Sequence, residues 1–128
     1  MSDKIKFNVL KHANKAIPFE TGAPIFKKGD SGRTMFAVYS GEVNIVVEGN
    51  VVETLSEGDI FGEMSLIDNQ PRSADAVAGE NCQVIEIDEK SFLFMTDHTP
   101  RFALQVMRLV AARLRHRMAE LEALKKGQ

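Results

Sequence analysis

The stretch from Phe61 to Ala76, FGEMSLIDNQPRSADA, decides how the rest of the chain is interpreted. It places Glu63 directly after Gly62, and Arg72 follows nine residues later among small side chains. The apolar residues around Glu63 are predicted to be buried: Phe61, Met64, Leu66 and Ile67. Because a buried charge is costly without a partner, Glu63 and Arg72 must each meet one, either each other or a ligand.

The residue types in this stretch suit a sugar phosphate. Residues 62–67 are long enough for one or two helical turns, and the N-terminus of a helix attracts anions. Arg72 carries a planar fork that can hold a phosphate with two hydrogen bonds, and Ser73 and Ala74 add backbone N–H groups and a hydroxyl. Glu63 would repel an anion unless it faced hydroxyls, as on a ribose. The alternative from the residues alone is a buried Glu63–Arg72 salt bridge that closes the fold.

The longer segment GDIFGEMSLIDNQPRSADAVA, residues 58–78, resembles the phosphate-binding cassette of the cyclic nucleotide-binding domain family. That family includes regulatory subunits of cAMP- and cGMP-dependent protein kinases, cyclic nucleotide-gated channels and bacterial catabolite activator-type regulators. The preceding segment IFKKGDSGRTMFAVYSGEVNIV, residues 25–46, resembles the opening strands of the same family. The resemblance spans roughly residues 16–120 and favours a ligand over the salt bridge.

The resemblance implies a role for each residue of the cassette. Glu63 would accept the ribose 2′-hydroxyl, and Arg72 would pair with the exocyclic oxygens of the cyclic phosphate. The other ligand-binding candidates are Phe61, Gly62, Met64, Ser73 and Ala74. The base would lie against the wall near Ile45, under a lid formed by the last helix. The expected ligand is cAMP or cGMP, with cAMP favoured because the overall pattern resembles bacterial members.

The turn residues predict a mainly β fold. Glycine-containing turns recur at short intervals between residues 16 and 88 and separate short apolar runs, which favours an antiparallel β-barrel or jelly roll with flanking helices. Gly49–Asn50 is predicted to form a two-residue hairpin turn. Val43, Ile45 and Val47 alternate and are predicted to point inward together.

Three helices are predicted around this β-region. The first covers Ile5 to Asn14, the second follows an N-cap at Asp88, and Thr99–Pro100 opens a long C-terminal helix, residues 100–126. Within the last helix an apolar seam is expected to cover the β-domain with one half and to overhang with the other: Leu104, Met107, Ala111, Leu114, Met118 and Leu121. The overhang predicts a homodimer. The alternative is a tail that folds back as a lid.

Composition bounds the remaining possibilities. The chain of 128 residues is expected to be one domain, residues 1–128, with no run long enough to span a membrane and no secretory signal. A single cysteine, Cys82, favours a cytoplasmic protein in which that residue is a buried hydrophobe. From Pro100 onward the chain has seven basic and two acidic residues, but no recognition motif for nucleic acid accompanies this positive charge.

No feature of the sequence favours an enzyme or a metal site. Cupin-type enzymes of the jelly-roll fold need clustered histidines, whereas His12, His98 and His116 are isolated. No helix-turn-helix follows the long helix, so we expect a stand-alone domain that signals to an unknown effector protein. Arg113 or Arg117 could be the lid residue over the base, although an arginine on such a helix more commonly points into solvent. The alternative function is a dimerisation scaffold in which ligand binding is incidental.

Overall fold

The computed structural model describes residues 15–127, so the predicted helix at Ile5–Asn14 lies outside the described residues. This part of the chain contains eight strands: β1 (Ile17–Pro18), β2 (Pro24–Phe26), β3 (Thr34–Ser40), β4 (Val43–Val47), β5 (Asn50–Leu55), β6 (Ile60–Phe61), β7 (Asp75–Ala78) and β8 (Gln83–Asp88). Three helices accompany them: α1 (Glu63–Asp68), α2 (Glu89–His98) and α3 (Arg101–Lys126).

The strands form two four-stranded antiparallel sheets, in the orders β1-β8-β3-β6 and β2-β7-β4-β5. The predicted jelly-roll-like architecture with flanking helices is therefore confirmed. The turn between β4 and β5 consists of Glu48 and Gly49, both with positive φ, and Asn50 already pairs with Val47. The prediction of a Gly49–Asn50 turn was thus displaced by one residue, because Glu48 adopts the left-handed conformation that the primed hairpin turns require.

Strand β3 separates two apolar cores because successive side chains of a strand point to opposite faces. Phe36 and Val38 pack between the two sheets, in a cluster that also contains the buried Cys82. Met35 and Ala37 face the helices, in a second cluster that also contains residues of α2 and α3. The second cluster fixes the long helix onto the first sheet.

Helix α1 connects β6 to the loop before β7 and buries only one side. Glu63 and Ser65 are buried, and Leu66 packs against the core under the helices. Met64 and Ile67 are 51% and 63% exposed, so the prediction that they are buried was wrong. They lie three positions apart on a helix of six residues, and such positions share a face, which here is turned away from the core.

The helix boundaries follow the capping signals closely. The Asp88 carboxylate accepts a hydrogen bond from the Ser91 backbone N–H at 2.8 Å, which confirms the predicted N-cap of α2 and lowers the pKa of Asp88. Helix α3 begins at Arg101, with Pro100 as its N-cap residue, and the Thr99 carbonyl accepts from Phe102 N–H at 2.8 Å. The described part of the chain has no helix that is both long and apolar enough to cross a membrane.

Helix α3 docks on the β-domain through a face other than the predicted seam. Phe102 and Val106 are buried, and Leu109 and Val110 pack against the same core. The seam residues are exposed along the whole helix, including the N-terminal half that was expected to be covered: Leu104, Met107, Ala111, Leu114, Met118 and Leu121. The prediction followed the spacing of the larger apolar side chains. It missed the docking face because that face also includes a charged residue, Arg113, on the following turn.

Candidate functional site

A cavity of about 380 Å³ opens between the sheet β2-β7-β4-β5, helix α1 and the middle of α3. Its volume lies within the range of about 300–1,000 Å³ that small-molecule sites occupy. All eight residues proposed from the sequence line it: Ile45, Phe61, Gly62, Glu63, Met64, Arg72, Ser73 and Ala74. Ser73 and Ala74 lie in the loop just before β7, outside the strand. The fold thus brings residues 29 positions apart into one concave surface.

Arg72 is 6% exposed and is held by carbonyl oxygens rather than by a carboxylate. Its Nη1 donates to the Thr34 carbonyl at 2.7 Å and to the Gly62 carbonyl at 2.9 Å, and its Nη2 donates to Thr34 Oγ1 at 3.1 Å. The guanidinium also lies 4.4 Å from the centre of the Phe26 ring. These contacts fix the plane of the fork, and burial lowers the pKa of Arg72 against the opposing effect of Glu86 and nearby acids.

Two glycines make the space that the Arg72 side chain occupies. A Cβ at Gly32 would lie 2.6 Å from Arg72 Nη2, and a Cβ at Gly62 would lie 2.7 Å from Arg72 Nη1. Gly62 also has φ of 72°, in the left-handed region where other residues are strained. Any side chain at either position would displace the guanidinium, which explains why small residues flank it.

Glu63 pairs with Arg113 of α3 and not with Arg72, within the residues that the structure describes. Arg113 Nη1 donates a hydrogen bond to Glu63 Oε1, and Arg113 Nη2 donates to the Ile60 carbonyl at 2.7 Å. The buried Glu63–Arg72 salt bridge considered from the sequence is therefore not formed. The partner of Glu63 comes from a helix fifty residues away, and sequence spacing gives no sign of that pairing.

A second carboxylate, Glu53 on β5, also lines the cavity and was missed in the sequence. Its Oε1 lies 3.5 Å from Arg113 Nε and 3.6 Å from Arg117 Nη2. Arg113 and Arg117, considered above as lid residues, both line the cavity. The charged lining residues are thus three arginines and two glutamates, and their formal charge is +1.

The comparison with known families matches this arrangement. Residues 16–99 fit the model of the cyclic nucleotide-binding domain. The chain belongs to the cyclic nucleotide-binding domain family. The cassette, with its arginine and glutamate in one cavity, is the part of the fold that the sequence resemblance had indicated.

Individual members of the family give the same result. Over 111 residues the chain is 34% identical to the cyclic AMP receptor protein of Thermus thermophilus, covering 83% of this chain and 51% of that protein. The crystal structure of the Thermus thermophilus catabolite activator protein superposes with a TM-score of 0.79 at 32% identity, over 92% of this chain and 57% of that one. A structure from work titled "A cyclic-GMP-dependent signalling pathway regulates bacterial phytopathogenesis" gives a TM-score of 0.75 at 25% identity, over 86% and 91%.

This cyclic nucleotide-binding domain spans about half the length of the Thermus relatives that it resembles. It covers a smaller share of other relatives, such as 8% of the human Rap guanine nucleotide exchange factor 3. These proteins therefore share one domain with this chain, and that domain occurs in proteins of very different length.

Proposed function

We propose that this domain reversibly binds a purine 3′,5′-cyclic monophosphate, with cAMP preferred over cGMP, and acts as a regulatory module rather than as an enzyme. Arg72 binds the cyclic phosphate together with the N–H groups of Ser73 and Ala74, Glu63 binds the ribose 2′-hydroxyl, and Ile45 contacts the base. Phe61, Gly62 and Met64 complete the cassette. Helix α3, whose arginines lie over the cavity, passes the occupancy of the site to an effector.

The charge of the cavity is the observation that carries this proposal. A cyclic phosphodiester has a single negative charge, which balances the formal charge of +1 on the lining residues. Glu63 has one oxygen paired with Arg113, so that its own charge is compensated while Oε2 has no partner within the described residues. A buried carboxylate in this state can accept a hydroxyl hydrogen bond without repelling a nearby phosphodiester.

The ligand is expected to raise the melting temperature, because it binds only the folded state. At a concentration of cAMP one hundred times Kd, the gain is about 2.7 kcal/mol, which corresponds to roughly 10 °C for a domain of this size. Linear 5′-AMP should produce a much smaller shift, since its phosphate carries up to two negative charges in a cavity that balances one. Differential scanning fluorimetry across a concentration series of each nucleotide measures both shifts. Equal shifts from cAMP and 5′-AMP would contradict the proposal.

Replacing Glu63 with Gln is expected to weaken cAMP binding by about 1–3 kcal/mol, the cost of losing one partner of a buried polar contact. The preference for cAMP over 2′-deoxy-cAMP should become smaller as well, because the neutral amide oxygen is a weaker acceptor for the hydroxyl than a carboxylate. Calorimetric titration with both nucleotides measures the two effects.

A matched control for this substitution is Glu57→Gln, which changes an exposed turn residue that does not line the cavity. It should bind both nucleotides like the unmodified protein. If Glu63→Gln keeps the full preference for the ribose, Glu63 does not bind the sugar and serves only to hold Arg113.

A second candidate function is that of a dimerisation scaffold in which the ligand is incidental, favoured by the exposed apolar residues of α3. The two candidates differ in what the buried charges do. A scaffold has no use for Arg72 at 6% exposure beside an open cavity, and a sensor requires it. The titrations above test the sensor, because a folded protein that gives no heat with any cyclic nucleotide leaves the scaffold as its function.

A further inference from the structure

We infer that Thr34 and Glu86 are positioning residues, which hold Arg72 so that one edge of its guanidinium stays free for the two exocyclic oxygens of a cyclic phosphate. This inference rests on the proposed function. Thr34 is the first residue of β3 and Glu86 belongs to β8, and neither residue lines the cavity. Their effect on the ligand is therefore exerted through Arg72.

The register of the first sheet places the two side chains next to each other. Phe36 pairs with Glu86, and Thr34, two residues before Phe36, pairs with Asp88. Because alternate residues of a strand share a face, Thr34 and Glu86 are diagonal neighbours on the face of Phe36, which packs between the sheets. The Thr34 hydroxyl donates to Glu86 Oε2 at 2.9 Å. A partly buried carboxylate beside core residues requires such a partner.

This hydrogen bond determines what the Thr34 hydroxyl offers to Arg72. A hydroxyl has one hydrogen, and here it goes to Glu86, so the lone pairs of Oγ1 remain for other partners. Arg72 has donors only, and its Nη2 lies 3.1 Å from Oγ1. The carboxylate thus keeps the hydroxyl in the orientation that accepts from Arg72. Burial lowers the pKa of Arg72, and Glu86 is the strongest of the acids that oppose this effect.

Protein oxygens accept three of the five N–H hydrogens of the Arg72 guanidinium. The two hydrogens on Nη1 go to the carbonyls of Thr34 and Gly62, and one hydrogen on Nη2 goes to the Thr34 hydroxyl. Within residues 15–127 the Nε hydrogen and the second Nη2 hydrogen have no acceptor. Nε and Nη2 are adjacent nitrogens, so these two donors match the paired exocyclic oxygens of a cyclic phosphate.

The Thr34 hydroxyl is the contact that prevents rotation of the guanidinium within its own plane. The Phe26 ring, 4.4 Å from the guanidinium carbon, restricts the plane but permits rotation within it. The two carbonyls hold Nη1 alone, and a group held at one nitrogen can pivot about that nitrogen. The bond from Nη2 to Oγ1 supplies a second fixed point. Without it, the fork must be ordered when the ligand binds, which costs affinity.

The test is calorimetric titration of cAMP into Thr34→Val, which keeps the side-chain shape and the Glu86 charge but removes the hydroxyl. Affinity should fall roughly 2- to 10-fold, the cost of ordering one side chain on binding. Thr34→Ser keeps the hydroxyl and should bind like the unmodified protein. The matched control is Thr54→Val, which removes a hydroxyl bonded to Asn44 outside the cavity lining and should leave the affinity unchanged.

Glu86→Met, made in both the unmodified protein and Thr34→Val, separates positioning from the electric field of the carboxylate. Removing a negative charge favours phosphate binding by the same factor in both backgrounds. Loss of the hydroxyl orientation acts only where the hydroxyl is present. The affinity change caused by Glu86→Met should therefore be at least about 2-fold less favourable when Thr34 is present.

Unchanged affinity of a folded Thr34→Val protein overturns the inference, and equal effects of Glu86→Met in the two backgrounds overturn the role of Glu86. Urea denaturation measures the stability of each variant, so that a loss of fold is not mistaken for a loss of affinity. If Thr34→Val does not fold, Thr34→Ala carries the same prediction. If the unmodified protein binds no cyclic nucleotide, the proposed function itself is wrong, and the two failures are therefore distinguishable.

Discussion

Replacing Arg72 with Leu is expected to lower the affinity for cAMP by about 2–5 kcal/mol, or roughly 30- to several-thousand-fold, the range for truncating one partner of a desolvated charge pair. The guanidinium is the cation of the cassette, and its plane is fixed by Thr34, Gly62 and the Phe26 ring. Leucine keeps the apolar contact with Phe26 but provides no donor. Isothermal titration calorimetry at fixed salt measures the loss.

Arg72→Lys is the matched control, since it keeps the charge but not the planar fork. Its affinity should fall between those of the unmodified protein and Arg72→Leu. Arg72→Leu leaves the carbonyls of Thr34 and Gly62 short of a donor, at a cost in folding of about 1–3 kcal/mol. Urea denaturation establishes that each variant is folded before titration. A folded Arg72→Leu protein that binds cAMP normally would remove Arg72 from the site.

The exposed apolar residues of α3 are expected to form a homodimer, in which two copies of the helix pack along the seam. Leu114 and Met118 are 59% and 57% exposed, and Leu121 continues the same strip. An apolar strip of this length is unusual on the surface of a monomer. Light scattering should give a mass near twice 14.2 kDa, which falls to the monomer value when Leu114 and Met118 are both replaced with Glu.

The control for the dimer introduces the same two charges on another face of α3. Ala112 and Ala119 are exposed and lie away from both the strip and the docking face, so replacing both with Glu should leave the dimer intact. A monomeric mass for the unmodified protein at high micromolar concentration, with and without cAMP, would refute the dimer. Loss of the dimer in both double variants would show that added charge alone disrupts it.

The cassette could be predicted because its signals are local. The helical turn after Gly62, the position of Arg72 and the small residues that follow are encoded within a short segment, and the structure places them in one cavity with Ile45. The partners of the two charges could not be predicted in this way. Arg113 reaches Glu63 from fifty residues away, and the Thr34 carbonyl is a backbone group that any residue would supply.

The errors have a common origin in register. The turn between β4 and β5 lies one residue earlier than the composition suggests. Strand β5 also contains an extra residue, since Ile45 pairs with Glu53 but Val46 pairs with Val51, and the consecutive residues Val52 and Glu53 both line the cavity. Alternation of apolar and polar residues cannot reveal such an insertion, because it assumes an uninterrupted ladder. In α3 the apolar seam was expected to be half buried and is exposed along its length, because the docking face is a different one that contains Arg113.

The attachment of α3 near its middle makes the helix a lever. Its N-terminal half is fixed in the core by Phe102 and Val106, Arg113 is bound to the cavity wall, and the residues beyond Arg117 are exposed. At about 1.5 Å per residue, Leu124 lies roughly 16 Å beyond Arg113 along the helix axis. A bend of about 10° at Arg113, which leaves the N-terminal half in the core, would move Leu124 by about 3 Å, because the straight helix beyond the bend multiplies the rotation by this length. A displacement too small to disturb the barrel at the pivot is thus amplified to the size of a side-chain contact at the far end.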